Sequence, residues 1–260
     1  MLYIASKILS ESLLSLYPVF VKNIDLPIQT QMWSRFFTYS IISLFFIDKS
    51  IWSLLTSFYG FALMIVTMIH VYVSYMGFLL LESGISYALF YTYPLFIYLG
   101  NYYSLHISFL FPIIGTWLMY YDNKEINMKG VIMILLAAIT EAMIYFIVRK
   151  LKSSNPWNHV FISYVLGALL FSVFATNIQE IKSYTTLVSM FINAIIGLIG
   201  YLLRFFAIPH LSAAMFSYLS YLGIIMAFIY GVIFSGEVIT LPKIIATLFI
   251  LVPSFLQMLH

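Results

Sequence analysis

Lys129 to Lys150 reads KGVIMILLAAITEAMIYFIVRK, with Glu141 the one charge between Lys129 and Arg149. An apolar run of about 20 residues is what an α-helix needs to cross the roughly 30 Å of bilayer hydrocarbon. Inside hydrocarbon the backbone finds hydrogen-bond partners only within a helix or a closed barrel. Barrel strands alternate polar and apolar residues, and this run does not alternate. It therefore reads as a transmembrane helix that carries one carboxylate and ends on a basic cluster, Arg149, Lys150 and Lys152.

Similar runs recur on both sides of it. The chain has 260 residues, 63% of them hydrophobic and 8% charged, whereas a soluble domain needs about a quarter charged. The formal net charge of +3 is spread over many loops and points to no nucleic acid and no acidic partner. Cysteine is absent, which rules out disulfides, thiolate metal sites and a cysteine nucleophile. Met1 to Lys22 is apolar but holds Lys7 and Glu11 within the run and lacks a cleavage site after a basic start. It reads as a first helix, not a removable signal peptide.

Breaks at Pro, Asn, Asp and charged clusters predict ten helices, over about 2–21, 28–47, 54–80, 85–100, 106–121, 129–148, 159–175, 185–207, 211–234 and 240–259. That leaves no room for an extramembrane domain. Two halves then align. A shift of about 130 sets Ser10-Glu11 on Thr140-Glu141, one of about 129 sets Pro27 on Pro156 and Ser34 on Ser163, and one of about 128 sets Phe78 on Phe206 and Tyr93 on Tyr221. Five helices per copy forces the copies into opposite orientations. The expected fold is an all-α polytopic membrane protein of about ten transmembrane helices in two inverted five-helix repeats, 1–122 and 129–260. The basic loop after the sixth helix suggests a cytosolic side, which places both termini in the cytoplasm of a cell (inner) membrane protein.

Several segments resemble the EamA-type transporters of the drug/metabolite transporter superfamily. Ala137 to Lys150 (AAITEAMIYFIVRK) resembles the family's sixth helix, and Pro156 opens an apolar helix after it. Tyr201 to Ser217 (YLLRFFAIPHLSAAMFS) is similar to the join of helices eight and nine. Gly231 to Thr240 (GVIFSGEVIT) resembles the Gly-Glu turn before the last helix, and Tyr93-Pro94 the fourth helix. The chain departs from this pattern in both halves: in the first, Gly100 to His106 reads GNYYSLH, without a Gly-Glu turn, and in the second, Leu222-Gly223 of the ninth helix stands where a proline is common. The resemblance implies two five-helix units and a transporter.

An embedded charge costs about 2.5–3.5 kcal/mol on insertion scales and usually faces a cavity or a partner. Glu11 and Glu141 occupy matching places in the two repeats, so an inverted pair would bring both carboxylates to one central cavity, where mutual repulsion would let one exchange a proton. Against this, Glu11 has Lys7 one turn away, a spacing that suits an ion pair. Arg35 has the geometry for a bidentate contact with a cargo carboxylate or phosphate, or for a salt bridge to Glu11. Arg204 reads as a residue that snorkels to the interface. His70 would titrate near neutrality or bond a cargo. Tyr72, Tyr75, Tyr91, Tyr93, Tyr218 and Tyr221 offer stacking surfaces or interface anchors. Gly84, Ala88 and Thr92, like Ala213, Ser217 and Ser220, form small faces for close helix contact, and Glu237 reads as a surface loop residue.

No phosphate loop, paired metal-binding histidines or serine elbow is present, so neither cofactor nor enzyme is expected. The reading is a secondary transporter of a small polar, amino-acid-like metabolite by alternating access, with protons as a candidate coupling ion. Its candidate binding or coupling residues are Glu11, Glu141, Arg35, His70, Lys7, Tyr93 and Tyr221. The alternatives are an intramembrane enzyme using His106, His159 or His210 on a lipid-borne substrate, and a non-transporting scaffold.

Overall fold

A computed structural model describes residues 1–102, 114–115, 118, 126–151, 153–174 and 183–258. The helices are α1 (Leu2–Leu14), α2 (Tyr17–Asn23), α3 (Ile28–Leu44), α4 (Ile51–Leu55), α5 (Phe58–Leu80), α6 (Ser83–Phe90) and α7 (Tyr93–Tyr102), then α8 (Met128–Lys150), α9 (Pro156–Phe174), α10 (Tyr184–Ala207), α11 (Ala213–Ser220), α12 (Leu222–Ser235) and α13 (Leu241–Met258). No strand occurs among the described residues. Six stretches, Leu2–Asn23, Phe58–Leu80, Met128–Lys150, Pro156–Val173, Tyr184–His210 and Ala213–Ser235, are each long and apolar enough to cross a membrane. The chain is a helical, polytopic integral membrane protein. The helix expected over 106–121 falls almost wholly outside the described residues.

Side-chain oxygens set several helix starts by accepting a backbone N–H that the first turn leaves free. Ser57 takes the Gly60 N–H at α5, Asn127 the Gly130 N–H at α8 and Ser212 the Met215 N–H at α11. Three runs expected to be continuous are each divided. The first breaks at Ser15-Leu16, with Pro18 in the opening turn of α2. The fourth ends at Phe90 because Pro94 has no N–H for the Phe90 carbonyl, and the Thr92 hydroxyl donates to the Leu89 carbonyl there. The ninth breaks at Tyr221 without a proline; its N–H turns back to the Tyr218 carbonyl, the tighter geometry of a 3-10 turn.

The most extensive packing pairs α5 with α8, α3 with α9 and α1 with α10. The divided helices cross-pack, α6 on α12 and α7 on α11. Small residues permit this: a Cβ on Gly84 would lie 2.3 Å from the Phe228 ring, and one on Gly223 would lie 1.9 Å from the Tyr91 hydroxyl. The burial pattern is that of a protein in lipid, with Phe45, Trp52, Phe58, Leu169 and Val173 exposed while Lys7, Glu11, Arg35, His70, Glu141 and Arg204 are buried.

Candidate functional site

The buried charges meet where α1, α5, α8 and α10 converge. Lys7 and Glu11 stand one turn apart on the face of α1 that also buries Ser10 and Leu14, and they form an ion pair. Glu141 projects from the middle of α8 and Arg204 from the last turns of α10. One end of the Arg204 guanidinium reaches both oxygens of Glu11, at 2.9 and 3.0 Å, while its other end bonds Glu141. Two carboxylates, one from each half of the chain, thus share one guanidinium.

The surrounding groups complete the cluster. The Tyr91 hydroxyl donates to Glu11. Lys7 donates to the Tyr93 hydroxyl at 3.3 Å and lies 3.5 Å from the Phe216 ring centre, a cation–π contact. Tyr93 in turn donates to Ser220 at 2.6 Å, so the breaks between α6 and α7 and between α11 and α12 border the cluster. His70 of α5 places Nδ1 3.2 Å from the Ala137 carbonyl and Nε2 3.2 Å from the Tyr201 hydroxyl. Its Nε2 also lies 3.3 Å from Oε2 of Glu141, an oxygen with no hydrogen bond among the described residues.

Arg35, from the middle of α3, sits apart from these carboxylates. Its guanidinium lies 4.6 Å from the Tyr17 ring centre, 4.9 Å from Tyr201 and 5.5 Å or a little more from Tyr39, Tyr164 and Tyr75. It donates to the Tyr164 hydroxyl at 2.9 Å. Gly197 leaves the space for two of these rings, because a Cβ there would lie 1.5 Å from the Tyr17 hydroxyl and 2.1 Å from that of Tyr39. A cavity of about 10 Å³, lined by Arg35, His70, Arg204, Tyr17, Tyr87 and Tyr201 among others, lies between the two arginines. It has room for about one water.

The structure brings together Lys7, Glu11, Glu141, His70 and Tyr93 and corrects several readings made from sequence. Arg204 does not snorkel; it is 1% exposed and bridges both glutamates. A guanidinium lies between the carboxylates, so they are not set against each other in mutual repulsion. Arg35 makes no salt bridge to Glu11 among the described contacts, and tyrosines surround it instead. Tyr221 is buried at the break between α11 and α12, while Tyr72 and Tyr218 are exposed. Glu237 is not a free surface residue: it accepts the Ser83 N–H at 2.6 Å and the Gly84 N–H at 3.1 Å, capping α6, and pairs with Lys22 at 3.1 Å. His159 is buried against Phe205 and His210 stacks on Tyr3, so the histidines converge on no shared centre among the described residues; His106 lies outside them.

Arg204 and the tyrosine cage were the parts that sequence reading missed. A signal for Arg204 exists in α10, where Asn193, Gly197, Gly200, Tyr201 and Arg204 recur at helical spacing and are all buried, a polar and small-residue stripe on an otherwise apolar helix.

No curated protein matches the chain. The profile of the EamA-like transporter family matches residues 128–258, from the first residue of α8 into the last helix. The matched half carries Glu141, Arg204 and the Gly236-Glu237 turn, while the first half, which lacks a Gly-Glu turn, lies outside the match. The chain belongs to the EamA-like transporter family.

Proposed function

We propose that this membrane transporter is a secondary carrier of a small polar metabolite, built as two inverted five-helix units, 1–122 and 129–260, that alternate access to a shared central site. The observation that carries the reading is the buried cluster in which Arg204 joins Glu11 of one unit to Glu141 of the other. Buried ion pairs are often replaceable by apolar side chains without loss of stability. A scaffold would gain little from so many costly charges, whereas a carrier needs polar groups at the meeting line of its units.

The packing supports the repeat. Exchanging the units turns the α5–α8 pair into the α10–α1 pair, and the α6–α12 pair into the α11–α7 pair, and both members of each exchange are present. The shift of about 129 that sets Ser34 on Ser163 also sets Arg35 on Tyr164, and these two side chains touch, as matched positions near a two-fold axis would.

The central cavity is too small for a metabolite, so loading requires the helices to part. On one face, Lys22 with Glu237 and Lys243 with Glu82 join α2 and α6 to the region around the start of α13. On the other, Asn155 and Asn158 bond Asp48 at 3.1 and 2.9 Å. Lys49 in the loop before α4 and Arg149 and Lys150 in the last turn of α8 lie at this second face, which supports a cytosolic assignment for it and for both termini. For proton coupling, the best-placed pair is His70 and Glu141, whose facing atoms stand 3.3 Å apart.

Uptake of labelled amino acids, nucleotides and cofactors into proteoliposomes, with and without a pH gradient, tests the reading. Wild-type protein should accumulate at least one cargo, and Glu11→Gln and Glu141→Gln should lower uptake at least about tenfold, the scale of losing roughly 1.4 kcal/mol at the site. Unchanged pH dependence in Glu141→Gln would end the coupling role of that residue. Folded protein that moves none of these compounds would end the carrier reading.

A further inference from the structure

Arg35 differs from the other cations of the interior. Lys7 and Arg204 each hold a carboxylate, and Lys243 holds Glu82 at the rim. Arg35 is 3% exposed, and among the described residues no carboxylate comes within 4.0 Å of it. Its Nε, like that of Arg204, has no hydrogen-bond partner among the described residues, and there the guanidinium donates to the Tyr164 hydroxyl alone. Five N–H donors in a planar fork match two oxygens of a carboxylate or phosphate. Tyrosine faces offset part of the cost of burying the cation, but they provide no opposite charge. The two carboxylates nearby are already engaged, Glu11 by Lys7, Arg204 and Tyr91 and Glu141 by Arg204.

The guanidinium also lines the central cavity, together with His70 and Arg204. We infer that Arg35 is the anion-binding residue of the central site and that the cargo carries a carboxylate or phosphate group, which displaces Tyr164 and takes the free edge of the guanidinium. The inference rests on the carrier reading for its use in transport, but binding itself does not depend on it. The ring of five tyrosines closes over the bound group and keeps water from it. Because the cavity holds only about one water, the rest of the cargo is accommodated as the rings and helices part.

The test is equilibrium binding to the full-length protein in lipid nanodiscs, using acids paired with uncharged counterparts: N-acetylleucine with N-acetylleucinamide, succinate with succinamide, glycerol 3-phosphate with glycerol. At least one anion should bind tenfold or more tightly than its partner compound, and the class that does so separates carboxylate from phosphate. Arg35→Gln should abolish that difference, Arg35→Lys should keep part of it, and Tyr164→Phe, which keeps the fold and the charge, should leave anion binding intact or stronger. Preference for the uncharged or amidated compounds, failure of every anion to bind folded wild-type protein, or an anion preference that survives in Arg35→Gln would overturn the inference. Transport of an uncharged cargo would sink it and leave the carrier standing; Arg35-dependent anion binding without any transport would do the reverse.

Discussion

Two buried arginines of this transporter are kept in the same interior by different means. Arg204 is held by two carboxylates drawn from the two halves of the chain, whereas Arg35 is held by five tyrosine rings and one hydroxyl. Both are almost fully buried. The first arrangement satisfies its charges internally, so its removal leaves charges stranded. The second leaves a cation without an anion, so its removal strands nothing. A residue bound into the fold and a residue waiting for a ligand are distinguished by what their neighbours lose when they go.

The comparison breaks or holds on stability measurements in detergent micelles. Arg204→Met should cost the most, about 3–5 kcal/mol, because it leaves Glu11 and Glu141 in a dry interior with one cation fewer. Adding Glu141→Gln to that variant should recover part of the loss, since Glu141 then has no charge left to compensate. Arg35→Met should cost less than about 2 kcal/mol, as lost cation–π contacts are offset by the relieved desolvation of an unpaired charge. Equal losses from the two substitutions would mean that Arg35 is as structural as Arg204.

How much of this was legible in the sequence follows from what a sequence can place. The apolar runs depend on one helix at a time and could be read directly. So could the Lys7–Glu11 pair, whose members are on one turn. The break at Tyr221 was not legible, because no proline marks the residue where the helix ends; the break at Ser15 carried a signal that was passed over, since Pro18 has no N–H for the Leu14 carbonyl, as Pro94 has none for that of Phe90. Arg204 was misread because it lies near the end of its own helix; its burial comes from α1 and α8 closing over it. The tyrosine cage draws on α2, α3, α5, α9 and α10, and in a chain with 21 tyrosines no spacing singles out these five. Long-range convergence was the missing information for Arg204 and for the cage.

Glu237 supplies the weaker end of the comparison, a charge pair at the rim instead of the centre. Burial works against its ionised carboxyl, yet the N–H groups of Ser83 and Gly84 and the charge of Lys22 outweigh that and hold it below its ordinary 4.5. Lys22 is more accessible than the central cations, with its side chain 22% exposed, so solvent weakens the pair. Most of the stabilisation comes from capping α6, and Glu237→Gln should cost about 1 kcal/mol. Because the folded-state value is depressed, this contribution is complete above the unfolded value and is lost as pH falls through the folded one. Unfolding midpoints of wild type and Glu237→Gln should therefore differ at neutral pH and converge only as the pH falls through the depressed folded-state value of Glu237. A gap that persists undiminished in acid would show that Glu237 acts through packing and not through its charge.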